Sequence, residues 1–170
     1  MSFKEVNLTD LQLNPWQAIG NDWLLVTAGD AAESSRANTM TASWGGMGVL
    51  WHENVAFIFI RPQRYTKEFI DAQPRLSLSF FDGRKKEMGL LGSVSGRERD
   101  KIAESGLHLT MLDGVPTFEE ARLVLVGQKL YADELKPEKF IVPEYDAKNY
   151  AAKDYHTVYV LKIEKAYQAE

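Results

Sequence analysis

Val55-Ala56-Phe57-Ile58-Phe59-Ile60 is an unbroken apolar run, almost entirely β-branched or aromatic. A run this short and this apolar predicts a core strand. Arg61-Pro62 ends it, because proline has no N–H to give a ladder. Beyond it, Tyr65 to Ala72 has helical spacing, with Phe69 and Ile70 as the apolar positions, Thr66 as a candidate cap and Pro74 as a stop. Arg75 to Phe81 (RLSLSFF) alternates until its end, the signature of a half-buried strand.

The pattern extends in both directions. Toward the N-terminus, Thr39 to Trp44 is strand-compatible and bounded by Gly45, Gly46 and Gly48, and Trp23 to Thr27 (WLLVT) reads as a buried strand. A polar loop is expected from Gly29-Asp30 to about Arg36. Asn14-Pro15-Trp16 reads as a cap and proline-led first turn of a short helix closed by Gly20 and Asn21. Toward the C-terminus, 84–92 reads as a helix packing through Met88, Leu90 and Leu91. Asp100 to Ser105 reads as another, closed by Gly106. Ala121 to Leu130 (ARLVLVGQKL) is a long strand in which Gly127 marks a bulge or a close approach. Pro137 to Lys153 reads as loop plus short helix, and His156 to Lys165 as an alternating strand. About six strands without a regular βαβα rhythm predict a mainly β fold: an antiparallel barrel or sandwich with peripheral helices.

The 170 residues suit one domain, 1–170, and show no repeat or linker-like shift of composition. Hydrophobic residues at 45% supply a core, which argues against disorder. A net charge of −4 argues against a nucleic-acid binder or an anionic-membrane binder, without excluding a local basic pocket. The absence of cysteine removes disulfides, thiolate metal sites and cysteine nucleophiles, and fits the cytoplasm. The first residues, MSFKE, do not read as a signal peptide. No stretch approaches the roughly 20 apolar residues of a membrane span. His52, His108 and His156 lack metal-site spacing, so no metal is expected.

Three stretches offer chemistry. In Asn38-Thr39-Met40-Thr41-Ala42-Ser43-Trp44-Gly45-Gly46, small residues permit close backbone approach to a flat aromatic ligand and Trp44 offers a wall. By composition alone the same residues read first as an edge strand with a buried tryptophan and a glycine turn. In Arg61-Pro62-Gln63-Arg64-Tyr65-Thr66, a strand feeds a helix N-terminus between two arginines, which suits a phosphate or else two solvated arginines on a capped helix. Ser93 to Lys101 contains Ser95-Gly96-Arg97 and Lys101 but lacks a P-loop, and Gly45-Gly46-x-Gly48 is not a Rossmann fingerprint. No G-x-S-x-G surrounds any serine, so a hydrolase triad is not supported.

Taken in order, Asn38-x-Met40-Thr41-x-Ser43-Trp44-Gly45-Gly46, Arg61-Pro62-x-Arg64-Tyr65-Thr66 and Ser95-Gly96-Arg97…Asp100-Lys101 resemble the flavin reductase-like family, its flavoredoxin-type branch in particular. The likeness spans about residue 14 to 167 and takes in His156-Thr157-Val158-Tyr159 as the last barrel strand. It implies an FMN-binding split β-barrel, antiparallel and Greek-key-like, working as a homodimer. It implies that Asn38 and Thr39 to Trp44 line the isoalloxazine and ribityl chain, that Arg61, Arg64, Tyr65 and Thr66 surround the phosphate, and that Lys101 contacts the flavin. The implied activity is hydride transfer from NAD(P)H to flavin N5, with the cofactors carrying the chemistry. The chain departs from flavoredoxin-like members in lacking a cysteine in the late long strand, and residues 131–153 match no part of the pattern. Two other readings stand beside it: an electron carrier with tightly bound FMN reduced by a redox protein partner, and a non-enzymatic barrel holding another ligand such as heme.

Overall fold

The structure is a computed structural model that describes residues 2–30 and 36–170. The middle of the loop expected between Asp30 and Arg36 lies outside the described residues. The described strands are β1 (Phe3–Val6), β2 (Leu24–Gly29), β3 (Ala37–Ala42), β4 (Gly45–Leu50), β5 (Glu53–Ile60), β6 (Arg75–Phe80), β7 (Leu109–Leu112), β8 (Val115–Phe118), β9 (Leu123–Glu134) and β10 (Thr157–Ala169). The α-helices are α1 (Thr66–Ala72), α2 (Lys85–Ser93), α3 (Lys101–Ser105) and α4 (Pro143–Asn149).

Every strand pairing among the described residues is antiparallel. The main sheet runs β3-β2-β6-β9-β10-β5-β4, with β1 also on β10. Consecutive strands β5 and β6 are separated in it by β9 and β10, with α1 making the crossing.

Alternation decides the interior. Leu24 and Val26 of β2, Met40 and Ala42 of β3, Ile58 and Ile60 of β5, Leu76 and Leu78 of β6, Leu123 and Leu125 of β9, and Tyr159 and Leu161 of β10 all join one buried cluster. One face of each strand therefore turns inward, and the sheet curls into a barrel. Its two edge strands, β3 and β4, are consecutive in the chain and joined by Ser43 and Trp44, yet they do not pair. The barrel is split along that line. The free edge of β3 leaves alternate backbone N–H and C=O groups for something other than a strand.

A second core covers the outer face. Leu25, Val124 and Val126 point away from the barrel and pack with Met88 and Leu91 of α2, Ile102 of α3, and Val115 and Phe118 of β8. The strand RLSLSFF is therefore covered on both faces, not half-buried. Its serines are fully buried beneath the β7–β8 hairpin, with Ser77 donating to the Pro116 carbonyl (2.6 Å) and Ser79 bonded to the Thr117 hydroxyl (2.8 Å).

Other local expectations met varied outcomes. Gly127 sits beside a register shift between Ile163 and Lys165, and a Cβ there would lie 3.2 Å from the Leu161 Cβ. Asn14 accepts from the N–H groups of Trp16 (3.1 Å) and Gln17 (3.3 Å), but Trp16–Asn21 winds as a π-helical turn. Thr66 does not cap α1: Tyr65 holds the cap position without a side-chain bond, and the Thr66 hydroxyl accepts from Asn38. No helix among the described residues is long and apolar enough to cross a membrane.

Candidate functional site at the split of the barrel

The split edge opens into a cleft. Its first part, about 220 Å³, is lined by Met40, Thr41, Ala42, Ser43, Trp44, Phe59, Arg61, Arg64 and His156. It adjoins a second part of about 450 Å³ that shares Met40, Arg61 and Arg64 and adds Tyr65, Thr66, Ser93, Val94, Ser95, Lys101 and Asp154. Strand β3 thus supplies one wall, the end of β5 and the start of α1 a second, and the α2–α3 connection a third. Two stretches far apart in sequence, 40–44 and 61–66, meet here as expected, and Lys101 joins them.

Three side chains of the site are held by carbonyls of α2, two of them in its last turn. Thr41 donates to the Met88 carbonyl (2.5 Å), Lys101 to Leu91 (2.8 Å) and Arg64 to Gly92 (2.6 Å). A helix C-terminus carries partial negative charge, so it favours two cations there. Those carbonyls are the only hydrogen-bond partners of the Arg64 and Lys101 side chains among the described residues, and neither cation has a carboxylate partner. Burial, and then the neighbouring Arg64 charge, pushes the Lys101 ammonium down to about 8.

Arg61 is placed differently. It donates to Asp154 (2.5 Å) and to the Asn149 carbonyl (3.0 Å), and its guanidinium lies 5.1 Å from the centre of the Tyr150 ring. Its charge is balanced within the protein, and it ties segment 149–154 to the cleft. Asn38 donates to the Thr66 hydroxyl (3.0 Å) and faces a neighbouring hollow of about 290 Å³ lined also by Tyr65, Gly96 and Lys101. Gly96 is required there, since a Cβ would lie 2.6 Å from the Asn38 Oδ1. Thr39 lines none of these cavities: its buried hydroxyl bonds the Thr27 hydroxyl (2.8 Å) and the Val26 carbonyl (3.1 Å).

Taken in this geometry, the fold can be compared with solved structures. An FMN-binding domain of a flavin reductases-like enzyme from Shewanella baltica superposes with a TM-score of 0.68, covering 98% of this chain and 77% of that one at 14% identity. The flavoredoxin of Desulfovibrio vulgaris gives 0.67, with 98% and 78% covered at 19% identity. This chain has the flavin reductase-like split-barrel fold. An NADH:FAD oxidoreductase from Streptomyces globisporus, in complex with NAD and FAD fragments, shares the split barrel at a TM-score of 0.64, covering 87% and 74% at 16% identity. No protein-family model and no curated protein matches the sequence.

Within this split barrel, His156, read from the sequence only as the start of the last strand, lies at the cleft. It lines the first part of the cleft with its ring centre 5.1 Å from that of Trp44, and its Nδ1 bonds the Tyr150 hydroxyl (2.8 Å). Burial, with the Arg61 charge beside it, pushes its imidazole down to about 4, so the ring is neutral at pH 7. Asp154 was also missed. No spacing motif marked either residue; only the tie from Arg61 to the end of the 131–153 segment shows them. Among the described residues no three His, Asp or Glu side chains gather as metal ligands.

Proposed function

We propose that the protein binds FMN in this cleft and uses it to take electrons from a reduced nicotinamide nucleotide. The observation that carries the reading is the pair Arg64 and Lys101, two cations without carboxylate partners at the end of a cleft whose other end is walled by Trp44, Phe59 and His156. Two uncompensated charges match a phosphate dianion, and a flat ring matches the apolar end.

The residues present fit FMN. Arg64 and Lys101 hold the phosphate, with Tyr65 and the Ser93–Ser95 backbone around it. The Thr66 oxygen accepts from Asn38, which leaves its own proton free to donate to the phosphate. Met40 and Phe59 bracket the ring, and the free edge of β3 from Thr41 to Ser43 meets its polar rim. Trp44, 47% exposed, shields the ring from water on the outer side. Neutral His156 contributes a polar edge without adding charge. When bound, FMN supplies the two-electron chemistry, accepting hydride from the nicotinamide.

The first test is the visible spectrum of purified protein after addition of FMN and removal of the excess. A retained flavin spectrum with NADH or NADPH oxidation in the presence of FMN supports the reading. Retained flavin without nicotinamide oxidation shifts it to an electron carrier reduced by a protein partner. No retained flavin, with no fluorescence quenching on titration, overturns it. The homodimer implied by the family resemblance belongs to the same reading, and sedimentation at twice the 19.3 kDa chain mass is the expected result. Sedimentation as a monomer would remove that part.

A further inference from the structure

Beyond the ring end of the cleft lies a further cavity, of about 470 Å³, with Trp16, Gly20, Ser43, Trp44, Gly45 and Gly46 among its walls. It shares Ser43 and Trp44 with the ring cavity and no residue with the cation-lined part. The cation-lined part, the ring cavity and this one therefore adjoin in sequence, with Lys101 at one end and Trp16 at the other.

Trp16 is 82% exposed and makes no ring or cation contact among the described residues. Its backbone is held at the start of the π-helical turn, where Asn14 accepts from its N–H (3.1 Å). The floor is backbone. A Cβ at Gly45 would lie 2.6 Å from the Phe57 carbonyl oxygen, so that position is held to glycine, whereas a Cβ at Gly20 would meet nothing within 4 Å. The cavity is lined by backbone at Gly45 and by two tryptophan side chains, a lining that suits a planar aromatic heterocycle.

We propose that Trp16 and Trp44 frame a subsite for the adenine ring of the nicotinamide dinucleotide, a reading that rests on the flavin function above. Electrostatics gives the direction. The diphosphate of the dinucleotide is repelled by the FMN phosphate at the Arg64–Lys101 end. With the nicotinamide over the flavin ring, the rest of the donor runs the opposite way, toward the tryptophans.

The test compares NADH with reduced nicotinamide mononucleotide, which lacks adenine, on the FMN-loaded full chain. Trp16→Ala is expected to raise the KM for NADH about tenfold, the loss of one base–aromatic stack. FMN affinity, kcat and the KM for the mononucleotide stay as they were. Gly20→Leu, which fills open space, gives the same pattern. Titration with 5′-AMP quenches tryptophan fluorescence in the wild type, and Trp16→Ala needs about tenfold more 5′-AMP for its remaining quench. An unchanged NADH KM in both variants, or equal effects on the two donors, overturns the subsite. Failure of the FMN-loaded wild type to oxidise any nicotinamide shifts the flavin function to an electron carrier instead, and the subsite then stands or falls on 5′-AMP binding.

Discussion

Replacing Arg64 with methionine is expected to weaken FMN about 30-fold and to leave riboflavin binding within about twofold. The two ligands differ only in the phosphate, so the ratio isolates the anion contact from the ring contact. Arg64 spends one donor on the Gly92 carbonyl and has others to offer, and no carboxylate neutralises it. A phosphate meets it at almost no rearrangement cost, because the α2 carbonyl has already fixed the guanidinium. Fluorescence quenching of each flavin by wild type and Arg64→Met measures the effect. An equal loss for both flavins would mean that Arg64 supports the ring cavity and does not hold a phosphate.

The contrast between Arg61 and Arg64 shows what a sequence can and cannot tell. Both arginines stand in one short motif, and both were read as phosphate ligands. Their difference comes from Asp154, 93 residues away, which neutralises Arg61 and leaves Arg64 unpaired. Composition carries no signal for that pairing. The run from Asn38 to Trp44 shows a second limit. Residues 40 to 44 all line the cleft that opens at the free edge of β3, whereas Thr39, on the same face of the strand as Thr41, does not. Thr39 turns to Thr27, while Thr41 reaches the cleft through its bond to the Met88 carbonyl.

The fold was readable where burial is extreme. VAFIFI, WLLVT and the long strand with Gly127 all became strands of the barrel. The readings failed at edges and short hairpins. Strand β4, GGMGVL, looked like a glycine turn because an edge strand with glycines lacks the β-branched run that marks a core one. The β7–β8 hairpin was missed although Asp113-Gly114 is its turn signal. Both residues take positive φ, +52° and +74°, the primed turn that closes two-residue hairpins. Helix α2 was read correctly as a packing helix through Met88 and Leu91, whereas Leu90 joins neither core. Its part in the site comes from backbone carbonyls, which every sequence has and no sequence marks.

Lys101 gives the site a pH dependence whose direction follows from its surroundings. In the flavin-free protein its ammonium titrates near 8 against an ordinary 10.5, because burial and then the Arg64 charge disfavour the charged form. A bound phosphate favours that form, so binding raises the Lys101 pKa and takes up a proton where the free protein has lost one. FMN affinity is therefore expected to be level from pH 7 to about 7.5 and to fall above 8, by at most about one decade per pH unit, since a single proton is involved. Calorimetry at pH 8.5 in buffers of different ionisation enthalpy should show proton uptake. Lys101→Met is expected to bind about tenfold more weakly at pH 7 and to lose the dependence above 8. The same shift acts on stability without flavin. Between about 8 and 10.5 the unfolded chain holds more protons at this lysine than the folded one, so the unfolding free energy rises with pH across that window. Lys101→Met removes that rise, and denaturant titrations at pH 7.5 and 9.5 measure it. A wild-type FMN affinity that stays level from pH 7.5 to 9.5 would show that Lys101 does not sense the phosphate, and the anion site would then rest on Arg64 alone.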